Sequence, residues 1–148
     1  MNENLIWEVR AFVYDQFVKT ARPPAAGEAA THFGLDLSTA EAIYGELHRR
    51  HALFLDAQNH AIQMAWPFSG APTRFQVHAN GVAYWANCAW DSLGIPAALH
   101  CDAEIHAFDA WSNEPIRLAI RSGQPIHADE RIHFLSPFTR WYDDIVFT

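Results

Sequence analysis

Residues 75–99 read FQVHANGVAYWANCAWDSLGIPAAL, and the change of period inside this stretch decides the fold. RFQVHA and VAYWA alternate as strands on either side of Asn80-Gly81. Both positions of that dipeptide tolerate positive φ, which suits the type I′ turn of a tight hairpin. Asn87 then predicts an N-cap, opening a short helix over CAWDSL with Gly94 at its end and Pro96 just beyond. A hairpin running straight into a helix marks the centre of a lobe built on a β-sheet.

Strand signals continue on the C-terminal side. AEIHAF (103–108) and IRLAI (116–120) alternate, with DAWSNEP and RSGQP as turns. RIHFL (131–135) reads as a further strand, and SPFTRWYDDIVFT as a short helical turn from Ser136 and Pro137 before apolar IVF. On the N-terminal side the period becomes helical. Leu5, Ile6, Val9, Phe12, Val13 and Phe17 form one buried stripe. Pro23 and Pro24 break the chain and can enter the first turn of a second helix, AAGEAATHF, which ends at Gly34. Ser38 or Asp36 caps a third, STAEAIYGELHRR, whose Ala40, Ile43, Tyr44 and Leu47 share a face. ALFLD and AIQMA then flank the turn AQNH.

Helices first and strands afterwards predict an α+β fold. The expected division is a winged-helix-like helical lobe over 1–66, a turn-rich linker over 67–73 (PFSGAPT), and a small mixed β-sheet lobe with short helices over 74–148.

Composition narrows the function. Half of the 148 residues are hydrophobic and 14% are aromatic, enough for a sizeable core. The formal net charge of −7 opposes strong nucleic-acid binding, which needs clustered Lys and Arg. Within 1–66, five basic residues (Arg10, Lys19, Arg22, Arg49, Arg50) face eight acidic ones. The third helix is basic only at its C-terminal end, whereas DNA-reading helices contact bases from the N-terminal part. Use of this lobe as a scaffold is therefore expected. No apolar run approaches the ~18 residues of a membrane span. MNENLIWEVR lacks the basic start and apolar run of a signal peptide, so a cytoplasmic protein is expected. The two cysteines, Cys88 and Cys101, should then be thiols rather than a disulfide.

Cys88 and Asp91 are the candidate chemistry. In the first turn of the predicted helix, Cys88 meets unpaired N–H groups and the helix dipole, which favour a thiolate and a depressed pKa. Asp91, three residues on, shares its face at roughly 5–6 Å between Cβ atoms. A soft nucleophile and an acid would stand side by side.

This hairpin and its Cys-x-x-Asp block resemble the core segment of the alkylmercury lyase (organomercurial lyase) family, and the preceding lobe resembles that family's winged-helix-like domain. The resemblance implies cleavage of carbon–mercury bonds, by thiolate capture of mercury and protonation of the attached carbon. Cys88 matches the family's first cysteine and Asp91 its proton-shuttling aspartate, so both are candidate metal-contacting residues. No cofactor is implied, since mercury belongs to substrate and product. The implied partner is a small organometallic or other thiophilic molecule. The family's second cysteine has no counterpart. One register places Tyr142 or Asp143 there, another a position just after Thr148, and Cys101 is the other thiol of the chain.

Other readings stand beside this one. A thiol-based metal-binding protein without turnover fits the same residues. A zinc or copper site could use Cys88, Cys101 and one of His78, His100, His106, His127 or His133. A winged-helix regulator with a metal- or metabolite-sensing lobe, or a family member recruited to a non-mercury reaction, are the others. Trp85 and Trp90 are core residues that could also wall the thiol, and Asp143 with Asp144 reads as a solvated helix face.

Overall fold

Asn2 starts the first helix, its side chain accepting a hydrogen bond from the Asn4 backbone N–H at 3.0 Å. In the computed structural model, which describes residues 2–126 and 129–143, α1 runs over Glu3–Thr20 and buries Ile6, Val9, Val13 and Phe17. Leu5 and Phe12 pack at the edge of that stripe. Helix α2 (Ala26–Phe33) ends on Gly34 at φ 65°, the left-handed cap expected. Pro24 lies before the N-cap residue Ala25 rather than in the first turn, and the Ala25 N–H donates to the Glu28 carboxylate at 2.8 Å. Of the two capping candidates for α3 (Leu37–Arg49), Asp36 takes the position, accepting from the Thr39 N–H. Ala40, Ile43, Tyr44 and Leu47 are buried on one face.

The first sheet is three-stranded and antiparallel, ordered β1 (Phe54–Leu55), β2 (Ile62–Ala65), β3 (Phe68–Ser69). Strand β3 falls inside the stretch read as a linker, and Phe68 is buried. The second sheet is ordered β5-β4-β6-β7-β8, from β4 (Gln76–Ala79), β5 (Val82–Trp85), β6 (Ala103–Phe108), β7 (Pro115–Arg121) and β8 (Gln124–Ile126). Expected to be mixed, it is antiparallel at every pairing. Hairpins join β4 to β5 and the three strands β6 to β8. The crossover through α4 (Ala89–Leu99) returns β6 to the far side of β4. Asn80 at φ 51° and Gly81 at φ 78° make the predicted turn. RIHFL forms no strand, while β8 takes its place as the outer edge. A 3-10 helix follows at Phe138–Asp143, near the expected helical turn. The apolar IVF (145–147), His127, Asp144 and Thr148 lie outside the described residues.

One apolar cluster joins the helices to both sheets. Phe68 is its hinge point, stacked on Phe17 with centroids 5.3 Å apart and tilted against Tyr84 at 5.4 Å. The Tyr84 hydroxyl donates to the Val18 carbonyl at 2.8 Å, fixing the second sheet to the end of α1. On the sheet's inner face Val77, Ala79, Tyr84, Ala103, Ile105 and Ile120 are buried. Its other face carries Gln76, His78, Glu104 and His106.

Candidate active site at the head of helix α4

The backbone entering α4 is held from three directions at Ala86. An isolated antiparallel bridge pairs it with Phe68, its N–H donates to Phe75 O at 2.9 Å, and its carbonyl accepts from Thr73 Oγ1 at 2.6 Å. Two residues later the chain turns into the helix. Cys88 is itself the N-cap residue, extended at φ −149°, ψ 179°, with no side-chain hydrogen bond closing the cap. The expected Asn87 cap is therefore corrected by one residue. The Asn87 side chain turns to Asp91 instead, donating from Nδ2 to Oδ2 at 3.0 Å. Asn87 Oδ1 is buried and accepts no hydrogen bond from the described residues. Gly94 and Pro96 lie inside the helix, which runs on to a left-handed cap at His100. Gly94 lies against Pro67: a Cβ there would meet the Pro67 Cβ at 3.1 Å.

Asp91, 9% exposed, is the one buried charged residue among the described residues, and Cys88 is half-buried beside it. Their ionisation is coupled. Burial raises the Cys88 thiol pKa first, and the Asp91 charge adds to it. The backbone N–H groups of Asp91 and Trp90 pull the other way and lose. The depressed thiol pKa expected from the helix start is thus reversed, because desolvation of an anion outweighs the end of a short helix. Burial also raises Asp91, against lowering by the Asn87 amide and the Cys88 thiol. A thiolate facing a carboxylate is the state burial penalises most, so the pair favours keeping a proton.

Helix α1 supplies a contribution that sequence reading missed. Tyr14 feels the charge of Asp91, and burial raises its phenol pKa. Arg10 donates from Nη2 to the Tyr14 hydroxyl at 3.2 Å, its guanidinium 4.6 Å above the Tyr14 ring. Arg10 and Tyr14 are spaced i, i+4, so the helix face was legible. Nothing local announced that Tyr14 comes within reach of the charge of a residue 77 positions away.

The other candidates separate from this site. Cys101 follows the C-cap of α4, at the opposite end from Cys88. At 1.5 Å per residue the helix puts roughly 17 Å between them. Two sulfurs sharing an ion lie within roughly 5 Å of each other, given bonds near 2.3 Å. Cys101 does not complete a clamp with Cys88 in this fold. Among the described residues no group of three His, Cys, Asp or Glu side chains could hold a metal ion, so the zinc or copper arrangement finds no support from His78, His100, His106 or His133, and His127 lies outside those residues. His78 and His106 do meet, with ring centroids 4.8 Å apart on the second sheet. Tyr142 stacks on His51 at 4.2 Å, in an aromatic group with Phe54 and Trp66. Trp90 is 58% exposed and lies 6.3 Å from Phe134, whereas the expectation for it was the core.

The alkylmercury lyase (MerB) family model matches residues 68–147, more than half of the chain and all of the site just described except its α1 residues. The chain belongs to the alkylmercury lyase family. A solved structure described as the mercury-bound form of MerB2 superposes with a TM-score of 0.65 at 23% identity. That likeness of fold covers 85% of this chain and 60% of the other, so the chain spans about three-fifths of its length. No curated protein matches the chain. Among the described residues, no helix is long and apolar enough to cross a membrane.

Proposed function

We propose that the chain cleaves carbon–mercury bonds, with Cys88 as the mercury ligand and Asp91 as the proton carrier. The observation that carries this reading is the half-buried Cys88 thiol coupled to the buried Asp91 carboxyl within the family-matched segment. Mercury is a soft cation, and thiolate sulfur is the soft donor this site offers. The raised pKa of Cys88 gives the chemistry its proton. As Cys88 Sγ bonds to the mercury of R–Hg⁺, its proton passes to the Asp91 carboxylate. The carboxylic acid then delivers that proton to the carbon, whose bond to mercury breaks with the electron pair going to the new C–H bond. Hydrocarbon R–H leaves, Asp91 is again a carboxylate, and Hg(II) remains on Cys88 until an external thiolate removes it. Atoms and charge balance without a cofactor.

The test is phenylmercury acetate with purified protein and added thiol. Benzene and Hg(II) released in equal amounts support the lyase. Stoichiometric capture on Cys88 without benzene supports the second reading, a thiophilic metal-binding protein, which a single protein thiol at the site favours. A winged-helix regulator has less support. The basic end of α3 is already engaged: Arg50 pairs with Glu3 and Glu46, Arg49 pairs with Glu46, and His48 Nδ1 accepts from the Leu55 N–H.

A further inference from the structure

Asn87 is the residue at this site whose arrangement has no structural explanation. An asparagine at the N-cap spends its side-chain oxygen on backbone N–H groups, but here Cys88 holds that position and Asn87 stands one residue before it. Asn87 leaves Oδ1 buried and without a partner among the described residues while aiming Nδ2 at Asp91 Oδ2, 3.0 Å away. A buried acceptor without a donor carries a desolvation penalty, so a purely structural position would favour an apolar side chain of similar shape. The backbone behind Asn87 is also firmly held, through the bridge to Phe68 and the Thr73 hydrogen bond at Ala86. The amide is therefore presented to Asp91 from a fixed point.

We infer that Asn87 is a positioning residue for proton delivery: it pins Oδ2 of Asp91, leaving Oδ1 to carry the proton between the Cys88 thiol and the mercury-bound carbon. The amide has no ionisable proton of its own, so it acts only through Asp91. This rests on the reading of Asp91 as proton carrier. Among the described residues Cys88 at the helix cap also bonds to Asp91, and Tyr14 of α1, bonded to Arg10, feels its charge.

The experiment separates capture from release in single turnovers with phenylmercury acetate. Capture is read as the mass of the Cys88 adduct, and release as benzene formed per adduct. In Asn87→Ala, capture should stay within about twofold while benzene release slows about 10- to 100-fold, the scale of one hydrogen bond to a charged group. Asn87→Gln, which keeps the amide, should recover part of that loss, and Asn87→Leu none. Unchanged release in Asn87→Ala overturns the inference. So does an equal fall in capture and release together with a lower melting temperature, which a merely structural role would give. If the variants do not fold, the wild-type side-chain amide decides by NMR. Its Nδ2 protons should be protected from exchange, and protection should vanish in Asp91→Ala; a freely exchanging amide in the wild type overturns the inference. Wild-type protein that captures phenylmercury but never yields benzene sinks the lyase reading, while a protected amide in that protein still supports the hold on Asp91.

Discussion

At Cys88 the start of α4 and the interior of the protein pull the thiol in opposite directions, and the interior prevails. Two outcomes follow at the scale of single residues. Alkylation of Cys88 by iodoacetamide should accelerate only at pH above the ordinary thiol range, because burial and the Asp91 charge both raise its pKa. Asp91→Asn removes that charge, so its Cys88 should alkylate faster at neutral pH than the wild type. The same substitution should slow hydrocarbon release by about 10²–10⁴-fold, the usual loss when acid–base catalysis is removed, while mercury capture persists. It should also stabilise the fold. A carboxyl whose folded pKa is raised contributes stability that is complete below its ordinary value of 3.8 and lost as pH rises through the folded value. Once the pH has risen past the folded value the wild type has lost that contribution, so there Asp91→Asn should melt higher, by about 2–4 °C per kcal/mol relieved. Thermal melts from pH 3 to pH 8 check this: the gap should close at the acidic end. A variant that melts lower at pH 7 would show that the carboxylate is a structural anchor.

At the scale of elements, what could be read in advance was what local chemistry dictates. Asp36, Gly34 and the Asn80-Gly81 turn each satisfy backbone groups within a few residues, and each sits where the sequence places it. The start of α4 was missed by one residue because Asn87 has two possible partners. The near one, the helix backbone, is visible in sequence; the one it takes is the Asp91 carboxyl. RIHFL alternates like a strand but pairs with no strand among the described residues, whereas QPI is hidden by Pro125, which an edge strand tolerates. The approach of Tyr14 to the charge of Asp91 has no local signal at all. Close packing between elements is similarly invisible, and Gly70 shows its force. Its N–H donates to Gln63 O at 2.8 Å, and a Cβ there would collide with the Ile62 carbonyl. Gly70→Ala should therefore cost about 1–3 kcal/mol, since the obstacle is backbone rather than a movable side chain. Urea denaturation reads it directly, and an unchanged midpoint would mean that β2 and β3 can separate freely.

For the whole molecule, charge and thiol count set the behaviour with partners. A net charge of −7, with Arg49 and Arg50 tied into ion pairs, leaves few cations for phosphates. Any DNA affinity should be weak and fall steeply between 50 and 200 mM salt, roughly as phosphate contacts are lost. Tight sequence-dependent binding would restore the regulator. The thiol count has a sharper consequence. Cys88 and Cys101 stand at opposite ends of α4, so under the proposed reaction the Hg(II) left after cleavage is expected to be held, among the described residues, by the single sulfur of Cys88. A soft dication with one thiolate has an open position that a second soft donor can fill. An external thiol should therefore enter at the exposed side, form a mixed complex with Cys88, and carry the metal away on binding a second external thiol. Multiple turnovers should depend on thiol concentration, whereas the first release of hydrocarbon should not. Cys101→Ser should leave both phases unchanged. With phenylmercury in excess over protein, benzene should appear as one burst equivalent without thiol and continue when glutathione is added. Sustained turnover without added thiol, lost in Cys101→Ser, would mean that the second cysteine does reach the metal and that the separation along α4 is not the one that operates during catalysis.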